Sequence, residues 1–152
     1  MKITRSIEID AGHRIPEHGN KCRNLHGHRY VILAQVAADE LQTQGSERGM
    51  VVDFARIKDA MMANIHDRFD HRMILRWDDP IAATLVGLEI PPIPSSLSHQ
   101  TYVAPGGEFC LLRESPTVEY LAQLWFQMLK NDIDICSIRV YETPNCYADY
   151  DG

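Results

Sequence analysis

Residues 21–28 read KCRNLHGH and contain two histidines two positions apart, His26 and His28. Alternate side chains of a strand point to the same face, so a strand that continues through residues 29–38 places both imidazoles on one face. His13, a little upstream, closes a third corner if it lies on a neighbouring strand. Three imidazoles leave the fourth position of a tetrahedral zinc ion open, which is typical of a catalytic rather than a structural site. The pattern therefore predicts a metal site, with zinc as the leading candidate because imidazole also suits copper, iron and nickel.

Cys22 lies between Lys21 and Arg23, two cations that favour the thiolate form of a neighbouring cysteine. Three interpretations remain open from the residues alone. Cys22 is a fourth zinc ligand that closes a structural site, a nucleophile or general base beside the metal, or a small buried side chain.

Length and composition predict one globular domain, residues 1–152. The hydrophobic fraction of 45% is enough to build a core. A net charge of -6 and a pI near 5.6 argue against non-specific binding to nucleic acid or to an anionic membrane. The sequence contains no apolar run long enough to span a bilayer. These features leave room for an anionic small substrate in a local basic pocket.

The first residues and the cysteines together predict a cytoplasmic protein. Residues 1–8 alternate between polar and apolar instead of forming the apolar stretch of a secretory signal. The four cysteines are widely spaced, and we expect them to be reduced and free.

Hydrophobic periodicity predicts an α+β domain, an antiparallel four-stranded sheet with two helices on one face. The predicted strands are residues 2–9, 29–38, 134–142 and 146–150, and the predicted helices are residues 54–68, capped by Asp53, and a second helix from a Ser115-Pro116 cap to Lys130.

An inserted segment at about residues 76–114 has a less regular pattern. It predicts a short helix through residues 79–86, a proline-rich extended stretch, and a hairpin of residues 99–104 and 108–113. The segment is too long for a simple connection, so we expect a lid or an interface element.

Other titratable residues are less informative alone. Asp70-His71 fits an acid/base pair in which the carboxylate orients the imidazole, but the same residues also simply end a helix. Glu119 and Glu142 show no decisive pattern. We expect His18, His66 and His99 to be structural or surface residues.

Six motifs in order resemble the 6-pyruvoyl-tetrahydropterin synthase / 6-carboxy-tetrahydropterin synthase family. The Cys-x-x-x-His-Gly-His spacing is more similar to the bacterial carboxy-tetrahydropterin synthases of the queuosine pathway than to the animal biopterin enzymes. The motifs are AGHR at 11–14, CRNLHGH at 22–28, GMVVDF at 49–54, FDHR at 69–72, PTVE at 116–119 and VYETP at 140–144.

The resemblance implies a tunnelling (T-) fold, whose subunits form a homo-hexamer of two stacked trimers with active sites at subunit interfaces. It implies zinc on the three histidines. The implied roles are zinc ligation by His13, His26 and His28; proton transfer by Cys22 as base with Asp70 and His71 as partners across an interface; and pterin binding by Glu142, helped by Glu119 and Thr117.

The implied reaction converts 7,8-dihydroneopterin triphosphate to 6-carboxytetrahydropterin, acetaldehyde and triphosphate. One alternative is the 6-pyruvoyl product, formed without carbon–carbon cleavage. The other is a non-catalytic zinc- or pterin-binding module in which Cys22 is a ligand. From charge placement alone, we expect the triphosphate to be contacted by four cationic residues: Arg14, Lys21, Arg23 and Arg72.

The chain departs from the family pattern at two places. Tyr120 stands where the family has an asparagine, and the insertion at residues 76–114 exceeds the common family length. We expect both to bear on substrate selection or assembly.

Overall fold

The computed structural model describes residues 1–86, 101–103 and 107–152, apart from the side chains of Val86 and Tyr102. The described elements comprise seven strands and four α-helical segments, with a 3-10 turn and a π-helical turn. In chain order they are β1 (Lys2–His13), the 3-10 turn (Lys21–Arg23), β2 (His26–Ala37), α1 (Phe54–Met61), the π-helical turn (Met62–His66), α2 (Asp67–Phe69), β3 (Met73–Arg76), α3 (Ala82–Val86), β4 (Tyr102–Val103), β5 (Phe109–Leu112), α4 (Val118–Lys130), β6 (Ile135–Thr143) and β7 (Cys146–Tyr150).

The described strands form one mixed sheet in the order β4-β5-β3-β1-β2-β6-β7. The four predicted strands are present as β1, β2, β6 and β7, and they are adjacent and antiparallel. The prediction of a four-stranded antiparallel sheet is nevertheless wrong in extent. Three short strands from the segment after residue 72 add to the edge of β1, and the β1–β3 and β3–β5 contacts are parallel.

The β1–β2 pairing runs without interruption to the end that carries the histidines. His13 lies opposite His26, and Gly12 lies opposite Gly27. The close approach at Gly12 leaves little room for a side chain, because an added Cβ would lie 2.5 Å from Met73 Cε and 3.3 Å from the His26 carbonyl oxygen. Both strands extend beyond their predicted limits, so His13 and His26 lie inside the regular ladder.

Both long helices pack on one face of the sheet, as predicted. The core under α4 contains Trp125, Tyr30 and Phe69, all fully buried, and the rings of Tyr30 and Phe69 contact Trp125 edge-on at centroid distances of 5.9 and 5.4 Å. Burying side chains of this kind contributes about 1.5–3 kcal/mol each. The buried end of the hairpin is thereby fixed against the helices.

The predicted helix at residues 54–68 is confirmed but is not uniform. Asp53 caps it, with a side-chain oxygen 2.8 Å from the backbone nitrogen of Ala55. The π-helical turn interrupts it before α2, and such turns are common near functional sites. For the second helix the predicted cap is wrong: Thr117 rather than Ser115 accepts the capping hydrogen bond, from Tyr120 N at 3.2 Å.

The segment predicted as an insertion is partly described. The short helix is confirmed as α3, and the hairpin as β4 and β5, which pair antiparallel. The proline-rich stretch and His99 lie outside the described residues. Among the described helices none combines the length and apolar character needed to cross a membrane.

The glycine pair at the end of the hairpin yields a stability prediction. A Cβ at Gly27 would lie 3.0 Å from the Ala11 carbonyl oxygen and 3.4 Å from Gly12 Cα, and backbone atoms cannot give way as a side chain can. We expect Gly27→Ala to lower the free energy of unfolding by about 1–3 kcal/mol in urea denaturation of the metal-free protein.

Gly19→Ala is the matched control, because nothing lies within 4 Å of the added Cβ. Its effect should stay within about 0.5 kcal/mol. Equal effects of the two substitutions would contradict the tight approach of β1 and β2.

Candidate metal centre

Three imidazoles meet on the helix-facing side of the β1–β2 hairpin. Among the described residues, the three form the one group of histidines, cysteines and acids whose potential ligand atoms lie close enough to hold a metal ion, all within 4.8 Å of one another. His13 Nε2 and His26 Nε2 are 3.1 Å apart. The edge of a tetrahedral zinc site with nitrogen ligands is roughly 3.3 Å, so the spacing suits that coordination. His28 completes the group two residues along β2.

Backbone carbonyls fix the tautomers of two of these rings. His13 Nδ1 lies 2.8 Å from Pro116 O, and His26 Nδ1 lies 2.8 Å from Asn24 O. A carbonyl oxygen only accepts, so each Nδ1 carries the hydrogen and each neutral ring presents a bare Nε2. Two bare nitrogens at 3.1 Å cannot hydrogen-bond to each other. The arrangement is electrostatically suited to a cation between them.

Burial favours the neutral form of His13 and of His28. It lowers the pKa of His13 to about 4, against a smaller opposing effect of the hydrogen bond to Pro116. Burial also lowers the pKa of His28, although Glu142 acts in the opposite direction. Neutral imidazole is the form that binds metal, so the site is ready for a cation at neutral pH.

Glu142 lies near the end of β6 beside the histidines. Its Oε1 is 3.5 Å from His13 Nε2 and 3.9 Å from His28 Nε2. It also lines a cavity of about 540 Å³ with His28, Tyr141, Thr143 and other residues of β2 and β6. That volume falls within the range of small-molecule pockets. The Glu142 carboxylate thus lies between the pocket and the histidine cluster.

Tyr30 forms the floor of the histidine cluster, and the sequence analysis missed it as part of the site. Its ring centroid lies 6.0 Å from that of His13 and 5.8 Å from that of His28. Burial raises the pKa of its phenol, and Glu142 and Cys22 raise it further. The even spacing of positions 26, 28 and 30 was the available signal, because the three share one face of β2.

Cys22 does not belong to the ligand group, but it is near enough to Tyr30 to raise the pKa of that phenol. It is half-buried in the 3-10 turn, its carbonyl oxygen accepts from Ile15 N at 2.8 Å, and its thiol is free. All four cysteines are free, as expected. The arrangement of the described residues thus favours three ligands over four.

Asp70 and His71 form a pair, as predicted. His71 Nδ1 lies 2.7 Å from Asp70 Oδ2, and Asp70 Oδ1 accepts from Asp10 N at 2.9 Å. Burial opposes ionisation of Asp70, but these hydrogen bonds and the nearby histidines outweigh it, so the pKa of Asp70 lies below its ordinary value. His66, expected to be structural or superficial, also approaches Asp70, with Nε2 3.6 Å from Oδ2.

The backbone of His71 is unusual for a residue with a side chain. Its φ of 56° lies in the left-handed region, and its N–H donates to Asp10 O at 2.7 Å. Such a conformation costs on the order of 1–3 kcal/mol and persists where the surroundings hold it, often at functional sites. The side chain is 78% exposed.

The Asp70–His71 pair and the histidine cluster are separate groups that border one cavity. His71 lines this cavity, of about 650 Å³, with Asp10, Gly12, Arg29 and His28 of the cluster. Within the described part of the chain, no hydrogen bond or ion pair joins His71 to Cys22 or to the three histidines. One chain therefore assembles two separate groups.

The other residues predicted to contact the substrate are exposed, cap a helix or bind to other groups of the protein. Thr117 caps α4 next to Pro116, and Glu119 is exposed in the first turn of that helix. Arg14 approaches Asp79, with Nε 3.1 Å from Oδ2, so its charge is already matched inside the protein. Arg72 donates to Asp67 O at 3.1 Å. Lys21 and Arg23 lie on the 3-10 turn and are exposed.

The family model described as 6-pyruvoyl tetrahydropterin synthase matches residues 2–152. A Rickettsia bellii protein named 6-carboxy-5,6,7,8-tetrahydropterin synthase is 38% identical over 159 residues, covering 98% of this chain and 99% of the relative. A Haemophilus influenzae protein of the same name is 30% identical over 152 residues, covering 99% of this chain and 98% of the relative.

Solved structures share the fold. An uncharacterised protein from Wolinella succinogenes superposes with a TM-score of 0.81 at 24% identity, covering 99% of this chain and 97% of that one. The 6-pyruvoyl tetrahydropterin synthase of Caenorhabditis elegans gives a TM-score of 0.63 at 22% identity, covering 100% and 95%. With a family model spanning nearly the whole sequence and full-length relatives up to 38% identical, the chain belongs to the 6-pyruvoyl tetrahydropterin synthase family.

Proposed function

We propose that this protein is a zinc-dependent 6-carboxy-5,6,7,8-tetrahydropterin synthase of queuosine biosynthesis, a carbon–oxygen/carbon–carbon lyase. It converts 7,8-dihydroneopterin triphosphate and one molecule of water to 6-carboxytetrahydropterin, acetaldehyde and triphosphate. The observation that carries the proposal is the group of three imidazoles whose potential ligand atoms lie within 4.8 Å, with Glu142 beside it. The cytoplasmic location stays a prediction from the sequence.

The 6-carboxy product is preferred to the 6-pyruvoyl product on two grounds. The full-length relatives at 30–38% identity carry the 6-carboxy name. The spacing of Cys22, His26 and His28 is the short form found in the bacterial enzymes that the sequence resembles. Formation of the 6-pyruvoyl compound is the alternative.

His13, His26 and His28 would hold the zinc ion. When bound, zinc supplies Lewis-acid chemistry that polarises the hydroxyl groups of the substrate side chain. The chain contributes the orientation of the ligands: Pro116 O and Asn24 O hold the Nδ1 hydrogens of two rings and leave their Nε2 atoms for the metal. Three protein ligands leave a position for substrate.

Proton movement is assigned to Cys22, Asp70 and His71. The Cys22 thiolate takes a proton from the substrate side chain beside the metal. His71 relays a proton through Nε2, because Asp70 holds its Nδ1 at 2.7 Å. The left-handed backbone of His71, held by Asp10 O, supports a positioned and not an incidental side chain.

Glu142 is the proposed anchor of the pterin ring. The amino-pyrimidinone edge of a pterin offers adjacent N–H donors, and one carboxylate accepts two such bonds in parallel. Glu142 lines the 540 Å³ cavity next to the metal ligands, which puts the bound ring beside the reacting side chain. Glu119 and Thr117 are proposed to assist Glu142.

The proposed assembly is a hexamer of two stacked trimers in the T-fold arrangement, with sites shared between subunits. Its support is that no hydrogen bond or ion pair joins His71 to the histidine cluster within the described part of one chain, while the His71 side chain is 78% exposed. The sheet face opposite the helices also carries half-buried apolar side chains, Val31 and Leu33, which suit a neighbouring subunit.

The activity is tested by product analysis. Incubation with 7,8-dihydroneopterin triphosphate should release acetaldehyde and triphosphate and give 6-carboxytetrahydropterin by mass spectrometry. A 6-pyruvoyl product would select the alternative reaction. A zinc-loaded protein that leaves the substrate intact would refute both.

Replacing Cys22 separates the enzyme from a non-catalytic zinc- or pterin-binding module. Cys22→Ala should keep about one zinc per chain, measured by elemental analysis, since three imidazoles suffice as ligands. Its turnover should fall by at least ~10²-fold because the proposed base is gone. His13→Ala should lose the metal.

Cys146→Ala is the control for Cys22→Ala, because Cys146 is exposed on β7. It should change neither zinc content nor turnover. Zinc loss in Cys22→Ala to the same degree as in His13→Ala would favour the binding module, with the thiol as a fourth ligand.

Subunit mixing tests the shared site. Cys22→Ala and His71→Ala homo-oligomers should each be inactive. When dissociated together and reassembled in equal amounts, they should regain about a quarter of the wild-type activity, because random assortment brings an intact Cys22 and an intact His71 to that share of interfaces. Mixtures as inactive as the parents would place both residues of a site in one chain.

A further inference from the structure

Two ion pairs join the loop after β1 to the turn after β3. In the first pair the loop supplies the arginine and the turn supplies the carboxylate, and in the second pair these roles are exchanged. We use the name β3 turn for Arg76, the last residue of β3, together with residues 77–79 that follow it. Arg14 Nε, on the loop, lies 3.1 Å from Oδ2 of Asp79, whose side chain is fully buried in the turn. In the reverse direction, Arg76 of the turn donates to Glu17 of the loop and to Asp78 within the turn. Ion pairs therefore hold the loop at Arg14 and at Glu17.

The loop between the pairs leads directly to Cys22. It begins after His13, and Ile15 N donates to the Cys22 carbonyl at 2.8 Å. This hydrogen bond closes the loop, so a displacement at Glu17 is passed to the turn that carries the thiol. The Glu17 side chain is 61% exposed and would be free to move without a partner.

Arg76 also contacts the segment whose backbone holds the His13 ring in place. Its Nη1 donates to Ser115 Oγ at 3.3 Å, and the next residue, Pro116, supplies the carbonyl that fixes His13 Nδ1 at 2.8 Å. A single guanidinium thus connects the Cys22 loop with the backbone that orients one proposed metal ligand. Groups of this kind, behind the ligands, set ligand orientation.

The charge of Arg76 is matched within the protein. Glu17, Asp78 and Ser115 occupy its Nη2, Nε and Nη1 atoms, and the side chain is 22% exposed. The hydrogen bond from Arg76 lowers the pKa of Glu17, so this pair is ionised at neutral pH. With two carboxylates on one guanidinium, the residue is poorly suited to binding an anionic substrate. Its geometry suits holding other residues in place.

We propose that Arg76 is a positioning residue, which places Cys22 relative to the metal ligands by holding Glu17 on one side and Ser115 on the other. The inference rests on the proposed function for its catalytic consequence. The geometric part concerns the placement of the thiol and stands apart from any particular substrate.

The test compares Arg76→Met with Arg56→Met in the full-length, zinc-loaded protein. Arg56 lies on the surface of α1 and pairs with Glu47, with Nη1 3.3 Å from Oε1. It belongs neither to the proposed catalytic and binding residues nor to the loop after β1. The readouts are kcat, KM, thermal melting and the rate of iodoacetamide alkylation of Cys22. Peptide mass spectrometry reports that rate as a ratio to alkylation of the exposed Cys146 in the same sample.

Arg76→Met should change the Cys22-to-Cys146 alkylation ratio by at least about threefold and lower kcat by about tenfold, with KM within about twofold. A displacement of about 1 Å in a catalytic group is enough for losses of this size. Arg56→Met should change none of these. An unchanged alkylation ratio in folded Arg76→Met would overturn the proposal.

Glu17→Gln and the double variant show whether Arg76 acts through Glu17. Glu17→Gln alone should shift the alkylation ratio in the same direction, and it provides the test if Arg76→Met fails to fold. The double variant should be no worse than Arg76→Met, since both changes break one connection. Fully additive effects would refute that connection. If the wild-type protein does not turn over the pterin triphosphate, the proposed function fails, and the alkylation ratio still decides the positioning role.

Discussion

Two bare imidazole nitrogens face each other at the histidine-bearing end of the β1–β2 hairpin, and the rest of the site depends on that contact. Pro116 and Asn24 take the Nδ1 hydrogens, so the Nε2 atoms of His13 and His26 meet at 3.1 Å with lone pairs directed inward. Glu142 adds a carboxylate oxygen at 3.5 Å. Concentrated negative potential in a partly buried place is costly without a cation and favourable with one.

The same residues support the hydrophobic core and the histidine cluster. Pro116 lies just before α4, whose Trp125 packs on Tyr30, and Tyr30 lies beneath two of the histidines. Displacing α4 would therefore move both the floor of the site and the carbonyl that orients His13. This coupling explains how a small domain can keep neutral, closely spaced imidazoles in place: the folding energy of the core holds them.

The sequence predicted the centre better than the sheet. The spacing of His26 and His28 determines their shared face once β2 is a strand, and His13 needed only the adjacent strand β1. The four long strands and both long helices follow from periodicity. The short strand β3 contains four residues, too few for a period to show, and its parallel pairing with β1 on one side and β5 on the other is set by tertiary contacts.

The sequence pattern also could not predict contacts between segments that are distant along the chain. The pairs Arg14–Asp79 and Arg76–Glu17 join residues about sixty positions apart, and their charges look like ordinary surface charges in the sequence. The carbonyl of Pro116 has no side-chain signal at all. Asp70-His71 was recognisable as a pair, but its separation from the histidine cluster within one chain needed the register of β1, β2 and β3.

A crystal structure with diffraction data on both sides of the zinc absorption edge tests the central claim most directly. One anomalous peak per chain should lie among the Nε2 atoms of His13, His26 and His28, about 2.0–2.1 Å from each, with the Cys22 sulfur outside bonding distance. A peak bonded to the Cys22 sulfur, or zinc bound elsewhere with the three imidazoles left empty, would contradict the account.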